Sequence, residues 1–353
     1  MRRLPFITII IPCRNEEKFI STCLKSIIAS DYPKDRIEVL VVDGMSEDGT
    51  RAIIDDYVKR YAFIRLIDNP RKITPTALNT GITNAKGEII IRMDAHAKYP
   101  PHYVSTCMKY LDRMDVDVVG GPVNTEPGAD TLMGRSIALA TSHPFGVGNS
   151  KFRASHEEGC VDTVPFGAYR REVFDKVGLF DERLVRNQDN ELSSRIINKG
   201  GRIYLTPELL VTYYNQATLK GLLKQALITG MWNVVTIRIN PASFRWRHFV
   251  PFIFVTALLA LGFLAPLQPG LEFAFLSLVS LYGGAAGVSS LQIALREGAK
   301  YIWVLPVIFF LYHVCYGIGT WVGLLRMAFS GWGSPSGGAK AKHRKAVQQG
   351  GDS

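Results

Sequence analysis

From Phe249 to Phe329 the chain runs for 81 residues with only five charged side chains, Glu272, Arg296, Glu297, Lys300 and Arg326. A water-soluble domain of that size needs charged surface that this tract does not have, so it reads as a membrane region. It divides into three apolar segments, Phe249 to Pro266, Leu271 to Leu295 and Trp303 to Phe329. Each is close to the roughly 20 residues that cross the hydrocarbon. The 248 residues before the tract hold 62 of the 72 charged side chains, the density of an ordinary soluble domain. The sequence thus predicts a soluble domain over 1–217, an amphipathic interfacial helix and linker over 218–248, a membrane region of about three helices over 249–329 and a basic flexible tail over 330–353.

The net charge of +10 divides into about +6 before the tract, +1 within it and +3 after it. No segment before the tail is a basic run with interleaved aromatics, so nucleic acid is not an expected partner. Anionic lipid head groups or a phosphate-bearing substrate account for the excess. The five cysteines are scattered, with no pair at metal-ligand or redox spacing, which fits a reducing compartment. The first residues, Met1-Arg2-Arg3-Leu4-Pro5 and a β-branched run to Ile11, are far too short for a signal h-region. Arg245, Arg247 and His248 precede the first apolar segment, and Arg296 and Lys300 follow the second. The positive-inside rule therefore puts the first domain in the cytosol. A single crossing by the third segment would put Lys340, Lys342, Arg344 and Lys345 on the far side, against the rule. A re-entrant third segment, or an interfacial one among the others, removes the conflict.

Within the first 120 residues apolar runs alternate with helical patterns. The runs are Ile7 to Ile11, Ile37 to Val42, Ile64 to Ile67 and Ile89 to Met93; the helices lie near Glu17 to Ala29, Thr50 to Tyr61 and Thr74 to Asn84. Continuous apolar strands alternating with helices predict an α/β fold, a doubly wound parallel sheet covered on both faces. Farther on, Glu126 to Cys160 reads as a long loop with one short helix near Leu132 to Ala140. Phe166 to Val177 and Gln188 to Asn198 read as helices. Leu219 to Ile237 carries apolar residues at helical spacing with Lys220 and Lys224 opposite, either an interfacial helix or a domain-packing one.

Ligands of such sheets bind beyond the carboxyl ends of the strands. Three polar clusters share that edge: Pro12-Cys13-Arg14-Asn15-Glu16, Asp43 to Thr50, and Asp94-Ala95-His96. No Walker or GxGxxG glycine pattern accompanies them, which argues against a P-loop or dinucleotide enzyme. Asp94 and His96, two residues apart at a strand end, can converge on one divalent cation that neutralises a diphosphate; the bland reading is a cap Asp beside an exposed His, and the neighbouring clusters disfavour it. Oxygen ligands suit Mg²⁺ or Mn²⁺, and an imidazole tilts the choice to Mn²⁺. Asp43 either hydrogen-bonds a base or ribose or serves its own turn. Ser46, Asp48 and Gly49 are expected to cap the next helix. Asp189 and Glu191 open a helix whose dipole favours ionised carboxylates, so Asp189 is a candidate base for a hydroxyl or a simple helix-start acid. Trp232 either stacks on a sugar or anchors at the interface.

These segments, Ile-Pro-Cys-Arg-Asn-Glu, Val-Val-Asp-Gly-Met-Ser-Glu-Asp-Gly-Thr, Ala-Leu-Asn-Thr-Gly-Ile, Asp-Ala-His-Ala and Gln-Asp-Asn-Glu-Leu, in this order from about Ile7 to Trp232, resemble the family 2 inverting glycosyltransferases of GT-A fold. His143 to Gly148, Val164 to Tyr169 and Arg186 to Asp189 resemble the succinoglycan-type exopolysaccharide glucosyltransferases among them. The resemblance implies that Pro12, Asn15, Glu16 and Asp43 line a uridine pocket, that Asp94 contacts ribose and metal, and that His96 takes the metal-ligand place usually held by a second Asp. Asn79 and Arg71 would support the diphosphate, Asp189 would be the general base, and Gln188 and Trp232 would meet the acceptor. The implied partners are a UDP-sugar, a polyprenyl-linked acceptor and the inner-membrane bilayer, with the catalytic domain on the cytoplasmic face. The Gln-x-x-Arg-Trp motif of processive members is degraded, with Gln225 early and Met231 before Trp232, which favours single-sugar transfer. The competing expectations are a dolichyl-phosphate-type sugar transferase and a non-catalytic nucleotide-binding scaffold or export component.

Overall fold

The computed structural model describes residues 4–148, 150–154 and 157–330. The four apolar runs form parallel strands β1 (Ile7–Cys13), β2 (Ile37–Asp43), β3 (Ile64–Asp68) and β4 (Ile89–Arg92), ordered β3-β2-β1-β4. Between them lie α1 (Ile20–Ile28), α2 (Thr50–Arg60) and α3 (Thr74–Asn84). Alternate residues feed two layers, as a strand's period of two requires. Ile9, Ile11, Val39 and Val41 join Ile20 and Leu24 of α1 in one core, and Ile10, Leu40 and Val42 join Leu78 and Ile82 of α3 in the other.

Past β4 the chain continues through β5 (Ala97–Lys98), α4 (Tyr103–Arg113), β6 (Val118–Gly120), β7 (Val123–Glu126), α5 (Leu132–Ser142), α6 (Pro144–Val147), α7 (Lys151–Ala154), β8 (Gly159–Cys160) and β9 (Ala168–Arg170). Then come α8 (Glu172–Val177), α9 (Gln188–Asn198), β10 (Ile203–Leu205) and β11 (Val211–Tyr214). The expected helix over Phe166 to Val177 is corrected: only Glu172–Val177 is helical, and Ala168–Arg170 pairs antiparallel with both β4 and β6. So short an apolar run shows no period of its own, and pairing to two strands decides its state. Among its described residues, the stretch read as one loop with one helix holds three helices, and Thr131 caps the first by accepting from the Gly134 N–H. A small second sheet, β5-β11-β7, was not expected from the sequence. Its strands have two to four residues, too few for alternation to register.

The C-terminal helices are α10 (Leu219–Ile239), α11 (Val250–Leu264), α12 (Leu271–Glu297) and α13 (Val304–Ser330). Trp246–Leu264, Leu271–Glu297 and Val304–Phe329 are long and apolar enough to cross a membrane. Of the third, 44% is buried inside the protein against 6% for each of the others, so α13 is the central helix of the group. Leu259, Phe263, Phe273, Leu281 and Leu295 stand exposed on α11 and α12, a surface suited to lipid. The basic tail lies, from residue 331 on, outside the described residues.

α10 lies against α13 closely enough to exclude side chains. A β-carbon on Gly230 would sit 2.1 Å from the Tyr316 carbonyl oxygen, and one on Gly319 2.2 Å from the Leu227 carbonyl oxygen. Small residues at such crossings let backbones meet, as in membrane helix pairs. Gly230→Val is expected to lower the Tm of the detergent-purified protein by forcing the two helices apart, at about 1–3 kcal/mol, the usual scale of overpacking. An unchanged Tm would mean that the contact is soft.

Candidate active site

The site lies where β1, β2 and β4 end, because parallel strands deliver their following loops to one edge. Asn15, in the left-handed region at φ 55°, donates its N–H to Ser46 Oγ at 2.8 Å and accepts from the Glu47 N–H at 2.9 Å through its side chain. Asp43 is fully buried; its carboxylate accepts from the Ser46 hydroxyl and N–H and from Arg51 Nη1 at 2.7 Å. Ser46 therefore does not cap α2 as expected. Its hydroxyl is drawn off by the buried carboxylate, while Asp48 bonds the Thr50 N–H at 3.0 Å. Pro12, the penultimate residue of β1, lies beside Val42, half-buried.

At the end of β4, His96 Nδ1 lies 3.0 Å from Glu16 Oε1. The Tyr213 ring of β11 meets the imidazole edge to face at 5.1 Å. Burial works against a charge on this ring, but the Glu16 bond prevails and pushes its pKa up to about 10. Two residues earlier, the Asp94 carboxylate faces Arg92, with Nη2 3.2 Å from Oδ1. The same guanidinium reaches Asp189 Oδ2 at 3.8 Å. Burial opposes the charge of Arg92, and the two carboxylates more than restore it, holding the guanidinium above its usual range.

Asp189 is brought there by α9, whose preceding residue Asn187 is left-handed at φ 62° and bonds Asn233 and Thr236 of α10 through its amide nitrogen. Gln188 is buried with its side-chain oxygen unpartnered among the described residues. A buried acceptor without a protein partner is uncommon in a folded protein. Trp232 is half-buried on α10, next to Asn233.

The structure brings Asn15, Glu16, Asp94, His96 and Asp189 to one edge and sets Asp43 beneath it. Arg71 and Asn79 form a separate group. Arg71 pairs with Glu182, and Asn79 Nδ2 reaches Glu182 Oε1 at 3.1 Å while its amide pins both backbone groups of Phe180. Among the described residues no hydrogen bond or ion pair joins that group to Asp94; the acidic loop before α9 engages both side chains instead.

Among the described residues no three His, Cys, Asp or Glu side chains cluster as a metal cage. Asp94 and His96 nevertheless suit a cation that arrives with a diphosphate, since such ions take one or two protein ligands and fill their shell with phosphate oxygens and water. The Glu16 contact on Nδ1 is the outer-shell arrangement that orients a ligating imidazole, and a cation would take Nε2 in exchange for its proton.

Residues 8–178 match the family model described as glycosyl transferase family 2. These residues form a glycosyltransferase family 2 domain. A Methanococcus voltae relative, named dolichyl N-acetyl-alpha-D-glucosaminyl phosphate 3-beta-D-2,3-diacetamido-2,3-dideoxy-beta-D-glucuronosyltransferase, is 28% identical over 91% of this chain and 98% of its own. The succinoglycan biosynthesis protein ExoA of Rhizobium meliloti (strain 1021) is 28% identical over 72% of this chain and 83% of its own. Among solved structures, the mannosyltransferase PcManGT of Pyrobaculum calidifontis, in complex with GDP-Man and Mn²⁺, superposes with a TM-score of 0.59 at 21% identity. That match covers 89% of this chain and 88% of the other, and it shows the GT-A fold. With three apolar C-terminal helices, the protein is a membrane-associated family 2 glycosyltransferase.

Arg92 is the site residue that sequence reasoning missed in this glycosyltransferase. The available signal was a single arginine closing the apolar run Ile89-Ile90-Ile91, a charge that needs partners once the strand is buried. Arg92→Met is expected to lower both Tm and activity, because a hydrogen bond to a charged group is worth about 1.5–3 kcal/mol, roughly ten- to hundredfold. Arg92→Lys should recover only part, since a point charge cannot reach two carboxylates as a planar fork does. Full activity and Tm in Arg92→Met would remove the residue from the site.

Proposed function

We propose that the protein transfers one sugar from a UDP-sugar to a hydroxyl of a polyprenyl-diphosphate-linked glycan at the cytoplasmic face of the cell membrane, with inversion at the anomeric carbon. The observation that carries the reading is the shared guanidinium of Arg92, which sets Asp189 beside Asp94, a few residues from the His96–Glu16 pair. A nucleotide diphosphate end and an acceptor base thereby belong to one site. The names of the Methanococcus and Rhizobium relatives, a dolichyl phosphate glycosyltransferase and a succinoglycan biosynthesis protein, support the acceptor class.

Asn15 and Glu16, with Pro12, line the nucleotide pocket, and Asp43 forms its floor by holding Ser46 and Arg51 in place. Asp94 and His96 hold Mn²⁺ or Mg²⁺, which when bound offsets the charge of the leaving diphosphate. Asp189 takes the proton from the acceptor hydroxyl as its oxygen bonds the anomeric carbon and the bond to the diphosphate breaks on the opposite face. Gln188 accepts from a neighbouring hydroxyl, and Trp232 offers its face to an acceptor sugar. Arg71 and Asn79 act indirectly, by securing the loop that leads to α9.

A donor screen with the purified full chain tests this reading, using polyprenyl diphosphate sugar acceptors with Mn²⁺, Mg²⁺ or EDTA. One UDP-sugar is expected to give a lipid-linked product of opposite anomeric configuration that EDTA abolishes. Nucleotide binding without turnover of any donor would turn the assignment toward a non-catalytic scaffold.

A further inference from the structure

A cavity of about 450 Å³ lies between the catalytic domain and the membrane helices, within the roughly 300–1,000 Å³ typical of ligand sites. One wall comes from the domain: Phe145 and Val147 of α6, Arg153 of α7 and Asn190 of α9. The other comes from the spans, with Pro251 and Phe254 of α11, Tyr282 of α12 and His313 of α13. The span side is furnished with rings: Phe254 stacks on Tyr282 at 4.3 Å, and the Tyr282 hydroxyl meets His313 Nδ1 at 2.9 Å.

Two cations line this mostly apolar space. Arg247, just before α11, is partly neutralised by Asp162 at 2.9 Å. Arg153 stacks over Phe152 at 5.4 Å and over Tyr213 at 5.5 Å, and among the described residues no carboxylate pairs with it. Tyr213 is the ring that meets His96, and Asn190 follows Asp189. The cavity therefore reaches the proposed chemistry by two routes while its far wall belongs to the membrane.

We propose that this cavity binds the lipid end of the acceptor, an isoprenoid phosphate or diphosphate ester, with the anionic head at Arg153 and Arg247 and the first isoprene units against Phe254 and Tyr282. The inference rests on the glycosyltransferase reading above and adds to it the seat of the acceptor. A nucleotide would not need the apolar wall, and an inorganic anion would have no use for it. A polyprenyl alcohol would leave the cations unanswered. Only an amphiphile with an anionic head matches both halves.

The test uses the purified full chain in detergent, titrated with polyprenyl phosphate, polyprenyl alcohol and inorganic pyrophosphate, for the wild type, Arg153→Gln and Val147→Trp. Polyprenyl phosphate is expected to bind at least about tenfold more tightly than either of the other probes, as one charge-assisted contact contributes. Each variant should weaken lipid binding by about tenfold or more and leave UDP binding unchanged. Equal binding of polyprenyl phosphate to wild type and both variants overturns the inference, and pyrophosphate binding as tightly as the lipid overturns it in favour of a free-anion site. Tight, variant-sensitive lipid binding without transfer from any donor would instead overturn the proposed function and leave the cavity assignment standing. Transfer with an unchanged acceptor KM in both variants would do the reverse.

Discussion

Asp189→Asn is expected to lower kcat by more than about 100-fold, the scale of general-base catalysis, with little change in donor binding. The substitution keeps the shape of the side chain and its place at the start of α9, 3.8 Å from Arg92, but removes the group that accepts the proton. An acceptor hydroxyl cannot attack the anomeric carbon efficiently without losing that proton. A bare lipid phosphate needs no base, so the same variant separates two enzymes: near-normal turnover in Asp189→Asn would identify a polyprenyl-phosphate sugar transferase. The measurement is initial rate against acceptor at saturating donor, with thermal unfolding as the control for folding.

Chelation is the second large effect. EDTA should abolish transfer in the wild type and added Mn²⁺ should restore it, whereas Asp94→Asn should stay roughly 10²- to 10³-fold below wild type even with excess Mn²⁺, the scale on which one preorganised electrostatic contact is felt. Asp94 is partly exposed and its N–H is anchored on the Tyr99 hydroxyl at 2.7 Å, so losing the charge should not displace the strand end. Full activity in EDTA would exclude the cation and leave Asp94 as a partner of Arg92 alone.

The parallel half of the sheet was legible because β1, β2 and β4 are runs dominated by Ile, Val and Leu, with β1 and β2 each followed by turn residues and a helix with its own period. The helix Gln188–Asn198 was equally clear, since its acidic start and apolar stripe agree. β9 was misread because the three residues Ala168–Arg170 carry no pattern and owe their state to two neighbours. The edge clusters could be named, since the carboxyl ends of parallel strands converge. Their internal wiring could not. That Arg92 joins residues 94 and 189, that Ser46 serves Asp43 rather than α2, and that Glu182 engages Arg71 and Asn79 are facts of tertiary contact. Each depends on loops whose course local preference does not determine.

The amide of Asn187 grips α10, and α10 is pressed backbone to backbone on α13. The start of α9, and Asp189 with it, is thus linked through α10 to a helix long and apolar enough to cross the bilayer. A glycan rising from a lipid offers its hydroxyls at successive elevations, and a base held at one elevation meets one rung of that ladder. In the proposed reaction, anchoring of this kind would work as a gauge, extending the sugar whose distance from the membrane matches that of Asp189.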